Sequence, residues 1–176
     1  MASSHEDVDK DSLRNQWLRN EIPALFISAL SSLQAHPELE GLTAVCLWLQ
    51  LVPLEDEVLD FFKPVASSIL HKLRAQPCLP CRPTQGKDLH WKMPSQVVAV
   101  RDPLLLEIVT PDRLQACLSL YYLHSDVSSS ISTALVAGLG IQTLSTHHLV
   151  EVGKHIIKEI SKSEIRGTIN LYVSVY

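Results

Sequence analysis

LPCRPTQGKDLHWKMPSQVVAVRDPLLLEIVTPDRLQACLSLYYLH, residues Leu79 to His124, decides the fold. Turn chemistry, short strands, short helices and an isolated tryptophan follow one another closely in it. Pro77, Pro80 and Pro83 prevent a regular helix through its beginning, because each lacks a backbone donor and restricts the residue before it. Gln85-Gly86 suits a turn. Gln96 to Val100 is short and β-branched, as a buried strand requires. Asp102-Pro103 reads as a helix cap with proline in the first turn, opening a helix over Leu104 to Val109. Thr110-Pro111 repeats the signal and opens a second helix through Cys117, and Leu120 to Leu123 reads as a strand.

Outward from this centre the chain reads as helix. Toward the amino end, Asp11-Ser12 caps a short helix with Leu13, Trp17 and Leu18, and Asn20 caps the next, with Pro23 in its first turn. Ile22, Leu25, Phe26, Ala29, Leu30 and Leu33 form its apolar stripe. Leu42 to Val52 has little polar face and predicts a buried helix ended by Pro53, with a buried strand as the alternative. Glu55 to Glu57 and Lys72 with Arg74 suit the two ends of a helix dipole, and Pro64 between them predicts a kink or two helices meeting near Lys63.

Toward the carboxyl end, Ser128 caps a helix with Ile131, Leu135 and Val136, closed by Gly138 and Gly140. Ser145 or Thr146 opens the last helix, whose buried face carries Leu149, Val152, Ile156 and Ile160. Ile169, Leu171, Val173 and Val175 then alternate with polar residues, the pattern of a half-buried strand. The expectation is an α+β fold, predominantly α-helical, with helices around a small irregular region of short strands. Residues 1–10 form a mobile tail, 11–76 a helical region, 77–127 the mixed region and 128–163 a second helical region. Residues 164–176 form a tail or edge strand.

At 176 residues and 46% apolar composition, the chain can build a sizeable core. A net charge of −4 gives no basic excess for neutralising phosphates, so nucleic-acid binding is not indicated. The polar start MASSHEDVDKD is unlike a signal peptide, and no apolar run approaches the ~18 residues of a membrane span. Four cysteines make no disulfide framework. An intracellular protein is expected, in the cytoplasm or nucleus.

Candidate chemistry is sparse. Cys78-Leu79-Pro80-Cys81 is a CxxC, but it follows a helix and lies among prolines, whereas a redox thiolate needs a helix amino terminus. Zinc would need His71 and His90 as well. His147, His148 and His155 read as solvated helix histidines, and Ser128 to Ser130 as a cap. Gly138-Leu139-Gly140 lies at a helix end and is no phosphate loop. Tyr121, Tyr122 and the three tryptophans suit core packing.

The proline-rich lead-in, Pro83-Thr84, Gly86, Trp91, Pro94-Ser95, Asp102-Pro103 and Leu120 to His124 with Asp126 together carry a resemblance over roughly Glu21 to Ile156. The pattern resembles a repeating element of very large eukaryotic proteins, the sacsin-like and plant NO VEIN-like family. The resemblance implies a chaperone ATPase domain of the GHKL type elsewhere in such proteins. Its nucleotide motifs are absent from these residues. A non-catalytic segment without cofactor, working with a protein partner, is therefore expected. Trp91, Pro94, Asp102 and Pro103 are its expected structural anchors, with Trp91 largely buried. The alternative is a small metal- or redox-linked protein using Cys78 and Cys81.

Overall fold

The computed structural model describes residues 4–35, 39–82 and 89–173. Among them are eight α-helices, five short strands and three single 3-10 turns. The class is α+β and mainly helical, as the patterning predicts.

Helix α1 runs unbroken over Ser4–Gln34, so the chain is helical well before residue 11 and passes through Pro23 instead of restarting at Asn20. The expected tail over residues 1–10 is thus helix from Ser4. Acidic residues dominate that amino end, where the helix dipole favours them. Helix α2, Leu39–Gln50, is the buried helix anticipated before Pro53, which disposes of the strand alternative. Glu55–Glu57 and Asp60–Phe62 are separate 3-10 turns, and α3 spans Lys63–Arg74. Pro64 sits in the first turn of α3, where its missing donor costs nothing, so it starts a helix and kinks none.

The mixed region builds a sheet. Strand β1, Leu79–Cys81, pairs antiparallel with β2, His90–Lys92, placing Pro80 opposite Trp91. Strand β3, Val97–Ala99, is flanked on its two edges by β4, Tyr121–Tyr122, and β5, Gln142–Thr143, both parallel to it. A bridge between Cys81 and Leu123, with Arg82 N–H donating to the Tyr122 carbonyl, joins β1 to the free edge of β4. Residues 83–88, which carry Pro83, Thr84 and Gly86, lie outside the described residues.

Parallel strands need crossovers. From β3 to β4 the chain passes through α4, Leu104–Ile108, and α5, Pro111–Leu118. From β4 to β5 it passes through α6, Ser125–Ser130, and α7, Thr133–Leu139. Alternate strand residues enter two different cores. Val97, Ala99 and Leu123 join α1, α2, α3, α6 and α7 in the larger one. Val98 and Tyr122 join Val109, Leu114, Leu144 and Val152 in the smaller one, between the sheet and the layer of α5 and α8. Burial on both faces explains the continuous apolar run of β3.

Three local readings differ. Ser128 lies inside α6, and Ser132 caps α7 by accepting from Leu135 N–H. Gly140 closes α7 at φ +74°, a conformation open to glycine without strain, whereas Gly138 is within the helix. Helix α8, Thr146–Val173, continues where a strand is expected over residues 164–176. A strand there would need a ladder partner to satisfy its backbone, whereas a helix satisfies it internally. Ser174 to Tyr176 lie outside the described residues. Leu149, Val152 and Ile156 face the core, but Ile160 is exposed.

Candidate functional site

A cavity that gathers charge and hydroxyls lies where the chain leaves β3 and β4. Beyond β3 come Val100 and Arg101; beyond β4, Leu123 and the start of α6. Between them opens a cleft of about 380 Å³, lined by Arg82, Arg101, Ser125, Ser128 and Ser129. Val100, Pro103, Leu106 and Leu123 give it an apolar wall, and Tyr122 also lines it.

The position follows from topology. The crossover from β3 packs on one face of the sheet, and that from β4 packs on the other. The two helical connections therefore diverge beyond the carboxyl ends of adjacent parallel strands. Such a divergence leaves a crevice, the usual ligand position in sheets wound this way.

Local caps fix the rim. Asp102 Oδ1 accepts from Leu104 N–H at 3.0 Å and so starts α4. Arg101 Nη2 donates to Thr133 Oγ1 at 3.1 Å, which ties the rim to the first turn of α7. The Arg82 guanidinium makes no hydrogen bond or ion pair among the described residues. Arg74 differs: its Nε donates to the Gly138 carbonyl at 2.8 Å, and Nη2 joins it there. Tyr122 is buried and its hydroxyl donates to the Val109 carbonyl at 2.8 Å. Burial pushes that phenol up to about 12, against the opposing pull of Arg82.

Of the expected anchors, Pro103 lines the cleft and Asp102 caps the adjoining helix. Trp91 lies in β2, partly buried and packed against the larger core. Pro94 is buried and opens the 3-10 turn Pro94–Gln96. The enclosed tryptophan is Trp48, whose ring centroid lies 4.8 Å from that of Phe26.

The cysteine motif is placed in the larger core. Cys78 and Cys81 are both fully buried, and burial pushes each thiol up to about 12. Cys78 Sγ donates to the Leu73 carbonyl at 3.3 Å. His90 lies opposite Cys81 in the β1–β2 ladder, while His71 is exposed on α3. Among the described residues no group of three His, Cys, Asp or Glu is placed to hold a metal ion.

His148 departs from its reading as a solvated histidine. It is buried, and its Nδ1 accepts from Ser145 N–H at 3.2 Å and lies 2.9 Å from Ser145 Oγ. An accepting Nδ1 leaves Nε2 as the donor, to Gln142 Oε1 at 2.9 Å. Gln142 Nε2 continues to the Ser95 carbonyl at 3.3 Å. Burial first, and the neighbouring His147 second, lower its pKa. The ring is a neutral clamp between α8, β5 and the turn at Ser95. The signal available in sequence was its position three residues after Ser145, the spacing of a reciprocal cap. His147 is exposed and His155 is half-buried.

No family model matches the chain. No solved structure matches it either. Over 154 residues, 86% of the chain, it is 35% identical to Protein NO VEIN of Arabidopsis thaliana. It spans 6% of the length of that protein. Among the described residues, no helix is long and apolar enough to cross a membrane.

Proposed function

We propose, for a chain that is NO VEIN-like over most of its length, a non-catalytic role in protein interaction inside the cell. In this reading it is a structural segment of a chaperone-associated, sacsin-like system, with any ATPase domain lying outside these residues. The observation that carries the reading is an apolar surface on the first two helices. Leu13, Trp17 and Leu25 of α1 are 62%, 54% and 64% exposed, and Leu47 and Leu51 at α2 are 58% and 72% exposed. On α1, Leu13 and Trp17 lie opposite the face formed by Ile22, Phe26, Leu30 and Leu33, which packs on the core, and Leu25 lies at the flank of that face. Scattered apolar residues are ordinary, but a second apolar side on one long helix fits a protein partner.

The alternative, metal or redox linkage through Cys78 and Cys81, has the burial of both thiols against it, because the thiolate is the reactive form. The test compares partner capture by the full chain and by a Leu13→Gln, Trp17→Gln variant, using a photo-crosslinker at position 21 of α1. Loss of the crosslinked partner with an unchanged melting temperature is expected. An identical crosslinked set for both proteins would overturn the reading. ATP turnover abolished by a point change within the chain would overturn its non-catalytic part.

A further inference from the structure

We propose that the cleft beyond β3 and β4 binds a small organic phosphate. Three independent features converge on it. The first is position: the cleft opens where the α4–α5 and α6–α7 crossovers diverge onto opposite faces of the parallel strands. The second is charge. Arg82 and Arg101 both line it, and among the described residues no carboxylate does. This occurs on a chain of net charge −4, so the pairing is local and not a reflection of a basic surface.

The third feature is unused donor capacity. Arg101 spends one donor on Thr133, which fixes the direction of its guanidinium, and Arg82 spends none among the described residues. A guanidinium carries five donors in a planar fork suited to phosphate oxygens. The side chains of Ser125, Ser128 and Ser129 bring hydroxyls to the same wall. Ser125 Oγ donates to Asp126 Oδ1 and Ser129 Oγ to the Asp126 carbonyl, which leaves the Ser128 hydroxyl, unbonded among the described residues, as the donor free for a phosphate oxygen. Arg82 follows β1 and Arg101 follows β3, so the pair forms only when the strands are assembled.

The remaining wall selects an ester over the free ion. Val100, Pro103, Leu106 and Leu123 offer apolar surface that inorganic phosphate cannot use. A volume of about 380 Å³ is within the range of small-molecule sites and exceeds what one phosphate group fills. The ligand is thus a phosphate monoester with a modest apolar or aromatic portion, a nucleoside monophosphate in size.

The test is calorimetric titration of the full chain with adenosine monophosphate, adenosine and inorganic phosphate, with amide chemical shifts recorded in parallel. The monophosphate should bind saturably, more tightly than inorganic phosphate, and adenosine should not bind measurably. Shifts should centre on Arg101, Leu123 and Ser125. Arg82→Ala and Arg101→Ala should each weaken binding by about tenfold or more, the effect of a lost charge-assisted hydrogen bond. Arg113→Ala, exposed on α5 and outside the cleft, should leave affinity unchanged. Arg82→Lys, which keeps charge but loses the fork, should bind more weakly than the parent. The proposal is overturned if no phosphate probe saturates, or if binding is indifferent to Arg82→Ala and Arg101→Ala in folded variants. Equal affinity for inorganic phosphate and the monoester would overturn the assignment of an organic ligand.

Discussion

The Tyr122 hydroxyl donates to the Val109 carbonyl at 2.8 Å, joining the floor of the parallel sheet to the joint between α4 and α5. Both residues are buried, so the carbonyl has no water to turn to. The same tyrosine lines the arginine cleft and receives a ladder bond from Arg82 N–H. One side chain therefore fixes the first crossover relative to the site.

Tyr122→Phe should destabilise the protein by about 1–3 kcal/mol, the range for leaving a buried acceptor unpaired. Urea denaturation measures this. An unchanged midpoint would show that the Val109 carbonyl finds another donor.

The three tryptophans should differ in order of enclosure. Trp48→Ala removes a buried ring packed at a tilt against Phe26 and should cost about 3–5 kcal/mol. Trp91→Ala, at a half-buried position, should cost less. Trp48 Nε1 makes no hydrogen bond among the described residues, so Trp48→Phe removes an unsatisfied donor along with some packing and should be milder than Trp48→Ala. Single-tryptophan variants should emit at longest wavelength for Trp17 and shortest for Trp48. Emission from Trp91 as blue as that from Trp48 would contradict the half-buried placement.

Stability should fall with acid in a His148-dependent way. The neutral ring is the one that accepts from Ser145, and its folded pKa lies below the ordinary value of about 6.5. Above about pH 6.5 both folded and unfolded forms are neutral, and the clamp is fully present. As pH falls from there toward the lowered folded pKa, the unfolded state takes up the proton first and stability is lost. Denaturation midpoints at about pH 8 and about pH 5 should therefore converge in His148→Gln relative to the parent. An identical pH slope in both proteins would assign the effect to other groups.

Cys117, which is half-buried, should react with a thiol reagent in the native state before the three buried cysteines. Cys78 and Cys81 should react only on unfolding, because burial keeps both protonated. Rapid native labelling of either would revive a redox or metal role for the pair.

Local chemistry in the chain was enough to place several elements. Asp102-Pro103 and Thr110-Pro111 start α4 and α5 as their capping chemistry requires. Val97 to Ala99 forms the buried strand, and α2 stops before Pro53. The helical character and the NO VEIN resemblance were both legible before any coordinates. Alternation misled over residues 164–173, where α8 continues, because a short alternating pattern does not specify a ladder partner. Tertiary structure alone set Val98 between Tyr122 and Gln142 in the parallel sheet. Strands two residues long carry too little periodicity to announce their pairing. That sheet, with the Cys81–Leu123 bridge at its edge, brings Arg82 and Arg101 to one cleft and folds His148 against Gln142. Helix starts depend on neighbours in the chain. The cleft depends on which distant strands share hydrogen bonds, and that is settled only when both apolar faces of β3 are buried at once.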